Sequence, residues 1–294
     1  MVRTATLVLV AWLAALCAAD APLLAQARER VAYVTVVDKD GRPRTELSAA
    51  DITIREDGAA REVLRITPAT GPFPIAVLVD TSANTEYAVP DLRAGLTALA
   101  GALGEVGPLA LIGFGDRPDV LSDYAAGAAG FTRGIGRVFA RPMAGATLIE
   151  AVHDAAAGLR RRESERAAIV IVSTSGPELS TMQYTRALDQ LAASGASLHA
   201  VTLTRPAGTP FTDEVRQRDT LLDRGVQRTG GFRRDVIASQ SMPSALADLG
   251  RLLAHQFRVV YARPQTLIPP KSIEVRAVPP GTTAYGGPAR EQPR

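Results

Sequence analysis

The stretch that decides the fold is Pro74-Ile-Ala-Val-Leu-Val-Asp-Thr-Ser-Ala-Asn84. Five apolar residues, Ile75 to Val79, run without alternation and stop at Asp80, where small hydroxyl and amide residues take over. A short continuous apolar run reads as a strand buried on both faces of a parallel sheet. In such sheets ligands sit beyond the carboxyl ends of the strands, where strand order reverses. Asp80, Ser82 and Asn84 fall at that end, at alternate positions of one loop. Three oxygen-bearing side chains at this spacing suit a hard cation such as Mg2+. The same residues also suit plain turn formation and helix capping.

The chain repeats the pattern beyond this stretch. Leu109–Phe114, Ala168–Val172 and Leu198–Leu203 are further apolar runs, with a short strand expected over 119–124 and a last one at Val259–Tyr261. Between them lie helical stripes: Leu92, Leu96, Leu99 and Leu103; Leu148, Ile149, Val152 and Leu159; Leu246, Leu249, Leu252 and Leu253. Helices are also expected near 131–139, 183–191 and 213–226. Thr147-x-x-Glu150 and Ser180-x-x-Gln183 have capping-box spacing, and Ser244 is placed to open the last helix. Alternating strands and helices predict an α/β fold with a doubly wound, mostly parallel, Rossmann-like sheet over residues 74–263.

The flanks differ. Residues 28–67 are β-rich, with turns at Asp38–Gly41 and Asp57–Gly58, and 67–74 is a proline-rich linker. Ser272–Val278 alternates like a half-buried strand. Neither flank can close a core alone. The N-terminal block and the strand in 264–285 are therefore expected to form one small accessory β-unit, leaving 286–294 as a disordered tail.

Composition narrows the function. The 294 residues are 46% hydrophobic and 21% charged with a net charge of +3, an ordinary globular balance. The densest basic run, Arg160–Arg162 with Arg166, lacks interleaved aromatics and reads as a solvated helix end rather than a nucleic-acid surface. Residues 1–27 have the apolar core and the Ala25-Gln26-Ala27 ending of a secretory signal peptide, which predicts export to the periplasm or beyond. Cleavage near Ala27 would remove Cys17, the one cysteine, and leave no membrane span, disulfide or thiol nucleophile. His153, His199 and His255 are scattered, and no nucleophile–base pair emerges from spacing, so no enzyme activity is expected.

The strand ending in DTSAN, Gly145-Ala146-Thr147 opening a helix, and IVIVSTSGPE together resemble a von Willebrand factor A domain. The DKDGRP, IREDG and QFRVVYARP segments are similar to the secreted bacterial VWFA-related family of acidobacterial type. The resemblance spans about residues 31–285. It implies a metal-ion-dependent adhesion site built on Asp-x-Ser-x-Ser, a Thr on a second loop and an Asp on a third. Asp80, Ser82 and Thr147 match that set, whereas Asn84 replaces a Ser and Ser175 the Asp. Loss of that carboxylate implies a degenerate site, because cation affinity follows ligand charge count. The implied role is a non-enzymatic protein-binding module, its partner docking on loops that carry Thr81, Thr85, Glu86, Ala146 and Glu178. A working Mg2+ adhesion site and a structural part of an envelope or secretion assembly stand as alternatives.

Overall fold

The computed structural model describes residues 28–204, 211–264, 270 and 272–290. The expected signal peptide and residues 291–294 lie outside them.

The strand β5 (Ile75–Val79) is fully buried, and its alternate side chains feed two different cores. Ile75, Val77 and Val79 point to one face, where α1 (Val89–Leu103) and α6 (Met242–Ala254) pack through their leucine stripes. Ala76 and Leu78 point to the other, covered by α3 (Leu148–Arg161), α4 (Tyr184–Ser194) and α5 (Asp213–Thr229). Two helix layers on one sheet explain the run's lack of alternation.

That sheet has six strands in the order β10 (Arg233–Val236), β9 (Ser197–Leu203), β8 (Ala168–Thr174), β5, β6 (Leu109–Phe114) and β7 (Pro118–Ser122). All pairs are parallel except β6 with β7. Strand order reverses at β5, which lies between β6 and β8, so its carboxyl end is the switch point. The helix α2 (Gly127–Gly136) packs beside β6 and β7 and begins four residues before the expected Phe131.

The flanks form two small antiparallel sheets sharing a third core. One has the order β13 (Thr283–Pro288), β1 (Arg28–Val37), β11 (Phe257–Arg263) and β4 (Val63–Pro68). The other is β12 (Ile273–Ala277), β2 (Ile52–Glu56) and β3 (Ala59–Arg61). Val34, Val36, Ile54, Val259 and Tyr261 are buried between them. The tail strand pairs with the N-terminal block, Val275 opposite Ile54.

Two expectations are corrected here. Val259–Tyr261 does not close the α/β sheet: β11 pairs with β1 and β4, so it belongs to the accessory unit. Apolar alternation fixes which faces are buried but not which sheet takes the strand. Nor does order stop at Gly286. Gly286 and Gly287 lie inside β13, paired with Val34 and Tyr33, and Ala289 N donates to Val31 O at 2.8 Å. A side chain at Gly286 would collide with the Tyr33 carbonyl, so the glycines permit close backbone approach rather than disorder. Among the described residues no helix is long and apolar enough to cross a membrane.

Candidate functional site

Three loops meet at the carboxyl end of β5 and β8. The first, 80–88, continues β5 as a 3-10 turn over Ala83–Ala88. The second, 139–147, leads into α3, and the third, 174–180, leaves β8. Backbone bonds lace them together: Ala83 N to Ala144 O (2.9 Å), Leu179 N to Ala146 O (2.7 Å) and Ala146 N to Pro177 O (3.2 Å).

Asp80 is the keystone of this cluster. It is buried, and its Oδ1 accepts from Ser82 N at 2.8 Å. Oδ2 accepts from Thr174 N at 3.1 Å and from the Thr174 hydroxyl at 2.6 Å. A carboxylate offers about four acceptor positions, so one remains. Ser82 is buried and its carbonyl accepts from Thr85 N (3.1 Å) and the Thr85 hydroxyl (2.7 Å). Asn84 directs its amide nitrogen at Ser175 O (2.7 Å) and Thr174 Oγ1 (3.2 Å). A carbonyl only accepts, so the nitrogen must face it and the amide oxygen is turned away. Gly176 makes this possible, since a side chain there would strike Asn84. Ser175 is half-buried, and its N–H donates to Leu203 O at 2.8 Å.

Thr147 is buried, but it does not cap α3: its hydroxyl donates to Gly115 O at 2.7 Å. The first free N–H groups of α3 are satisfied from the third loop instead. Leu148 N donates to Glu178 Oε1 at 2.9 Å and Ile149 N to Ser180 Oγ at 3.1 Å. Glu150, expected in a capping box with Thr147, accepts from Thr181 N (2.7 Å) and Met182 N (3.0 Å). Ser180 therefore serves α3, and α4 begins from Gln183. Ser244 likewise does not open α6 but is its third residue, donating to Ser241 O at 3.0 Å.

Glu178 is the second carboxylate at the cluster. It is buried, its Oε1 also takes the Ser180 hydroxyl, and its Oε2 has no partner. Burial pushes its pKa up to about 7, against the pull of Ser180, Arg218 and the Leu148 N–H. Arg218, buried on α5, donates to Gly176 O at 2.8 Å. Thr81 is buried with an unpartnered hydroxyl, Thr85 and Ala146 are buried, and Glu86 is exposed.

Asp80, Ser82, Asn84 and Ser175 are thus brought together, with Thr147 on the adjoining loop. The donor set offers a cation one Asp80 lone pair and neutral hydroxyls, while Glu178 holds its proton to near neutral pH. Mg2+ favours carboxylate oxygen, so this set fits it poorly. Among the described residues no group of three His, Cys, Asp or Glu side chains is placed to hold a metal. Among the described residues, Ser173 and His199 each bond to other polar groups. Ser173 donates to Thr202 at 3.2 Å, and the buried His199 accepts from Phe232 N, so its remaining N–H donates to Ser197. His199 is held neutral by burial, with a pKa pushed down to about 3.

Sequence reasoning missed Thr174, although it lies in the quoted STSG stretch, and missed Arg218, for which spacing carries no signal. It also missed a surface feature. Nine large apolar side chains are exposed among the described residues. Six of them, Tyr87, Phe139, Met143, Leu179, Phe211 and Ile237, lie on segments at the carboxyl end of the central sheet. Met143 is 97% exposed and held at φ 62°, an uncommon conformation for a non-glycine residue.

No family model and no curated protein matches the chain. Among solved structures, a von Willebrand factor type A protein from Catenulispora acidiphila superposes over 91% of this chain and 74% of its own, at 9% identity and a TM-score of 0.51. The human COPII-coat protein Sec24c aligns with 75% of the chain at 10% identity and a TM-score of 0.48, the chain spanning 44% of its length. An aerotolerance-related membrane protein from Bacteroides fragilis aligns over 61% of this chain and 98% of its own, at 15% identity and a TM-score of 0.46. With a doubly wound sheet that switches at β5 and a loop cluster centred on Asp80, the chain has the von Willebrand factor type A fold.

Proposed function

We propose that this chain is an exported, non-catalytic protein-binding module that docks its partner on the loops at the carboxyl end of the central sheet. The observation that carries this reading is the set of exposed apolar side chains there. Exposed apolar surface beside polar groups is a mark of an interaction site. Met143 and Leu179 would be its centre, because they lie on the two loops bonded to each other and to the Asp80 loop. The site works as a degenerate one. Hydrogen bonds from Thr174 and Asn84 tie the first loop to the third, and the backbone bonds of Ala83 and Leu179 tie both to the second, the task a cation would perform in a charged version of the same cluster.

Capture from envelope extract tests the docking face. The wild-type chain should retain a specific protein that Met143→Glu/Leu179→Glu loses, while Val278→Glu, on the accessory unit, retains it. Equal capture by all three would refute the docking face and favour a structural part using other surfaces. Export has its own test. N-terminal sequencing of chain from the envelope fraction should begin at or near Arg28, whereas an intact Met1 on cytoplasmic protein would refute it.

A further inference from the structure

At the opposite edge of the central sheet, beneath the accessory unit, lies a cavity of about 190 Å3. Its walls are largely apolar, with Leu188 and Leu191 from α4 and Leu252 from α6, closed by Tyr285 of β13. Arg166, just before β8, lines the same space. Sequence reading placed Arg166 on a solvated helix end, but it is only 8% exposed.

Its guanidinium stacks 4.2 Å from the Phe73 ring centre and 5.3 Å from that of Tyr33. Its hydrogen bonds go to neutral oxygens: Nη2 to Gly71 O at 3.2 Å and Nη1 to Gln256 Oε1 at a long 3.4 Å. Nε has no partner. Among the described residues no carboxylate pairs with it, because neighbouring Glu165 is paired with Arg258 at 3.2 Å. Buried charges are ordinarily paired, since an uncompensated one costs several kcal/mol. Here a cation lines a largely apolar cavity with no carboxylate among the described residues within ion-pair distance, Glu165 acting on it only through space.

We propose that this cavity binds a small monocarboxylate with a hydrocarbon body, its carboxylate displacing the Gln256 amide from Arg166. Size and charge set the class. An apolar cavity of about 150 Å3 accommodates benzene, so 190 Å3 admits a benzoate- or hexanoate-sized acid. One buried cation matches one negative charge, and apolar walls disfavour phosphate or a dicarboxylate. Arg228, exposed on α5 at the lining, adds attraction for an anion, and Glu165 is already neutralised by Arg258. His199, also lining the cavity, is neutral and does not compete for the carboxylate. This site is independent of the loop cluster, which lies at the other end of the strands.

The test is calorimetry and ligand-observed NMR on the purified chain. The panel is butanoate to decanoate, benzoate and phenylacetate, each with its neutral alcohol. At least one acid should bind saturably at millimolar concentration or below, and its alcohol at least about tenfold more weakly. Arg166→Gln should weaken the acid about ten- to hundredfold, the range for a hydrogen bond to a charged group. Ala192→Trp places a bulky side chain at the exposed rim, leaves Arg166 itself unsubstituted and should abolish binding, which keeps the test decisive if Arg166→Gln does not fold. Absence of binding across the panel, equal binding of acid and alcohol, or binding that survives Ala192→Trp would each overturn the proposal.

Discussion

Glu178→Gln should make the chain more stable at neutral pH and flatten part of its pH dependence. The carboxyl is buried at the start of α3, with Oε1 bonded to Leu148 N and Oε2 unpartnered. Burial lifts its pKa from 4.5 to about 7. At roughly 1.4 kcal/mol per tenfold change in proton affinity, that lift corresponds to about 3 kcal/mol. Below the unfolded value both states carry the proton and the group contributes nothing to the pH slope. Between the two values the folded chain keeps a proton that the unfolded chain has lost. Stability therefore falls as pH rises through this window, and above the folded value the full penalty is in place. Glutamine keeps the acceptor for Leu148 N and carries no charge. Urea unfolding of both proteins from pH 4 to 8.5 reads the effect. Their stabilities should be similar near pH 4 and diverge by up to about 3 kcal/mol in favour of the variant by pH 8. A difference that stays constant with pH would show that Glu178 does not hold its proton in the fold.

Two further outcomes follow from the same geometry. Asp80→Ala leaves three buried donors without an acceptor and should cost about 3–5 kcal/mol in urea unfolding, with or without Mg2+; a loss under about 1 kcal/mol would mean the carboxylate does not hold the loops. Truncation after Arg263 removes β13 from one edge of β1 and β12 from one edge of β2, leaving β11 and β3 on the other edges, so amide exchange should quicken over Val31–Val37 and Ile52–Glu56; unchanged exchange would mean that the N-terminal strands hold without the tail.

The sequence carried the α/β architecture clearly, because apolar runs such as Ile75–Val79 and stripes such as Leu92–Leu96–Leu99 state which surfaces must be buried. Asp80 and Ser82 were placed by the point where such a run stops, and Thr147 by the family resemblance of the loop that opens α3. What was not legible depends on tertiary partners. The strand β10, Arg233–Val236, has no apolar run, and it is defined by its pairing to β9. The spacing of Thr147 with Glu150, and of Ser180 with Gln183, fits local caps, yet the loop ending in Glu178 and Ser180 supplies the α3 cap from thirty residues away. Capping spacing reports capability, and the winner is decided by which donors the packed loops bring close. Arg166 shows the same limit: its place in a basic run suggested solvent, but stacking on Phe73 and Tyr33 draws it inside.

The measurement that bears most directly on a hydrogen-bonded, metal-independent loop cluster is thermal unfolding in millimolar Mg2+ against EDTA. Only a ligand that prefers the folded state raises the midpoint. The wild-type chain should unfold at the same temperature in both, and Ser175→Asp, which restores a second ionised carboxylate, should gain a Mg2+-dependent rise. A clear Mg2+ shift in the wild type that disappears in Asp80→Ala would contradict the account and establish a working cation site.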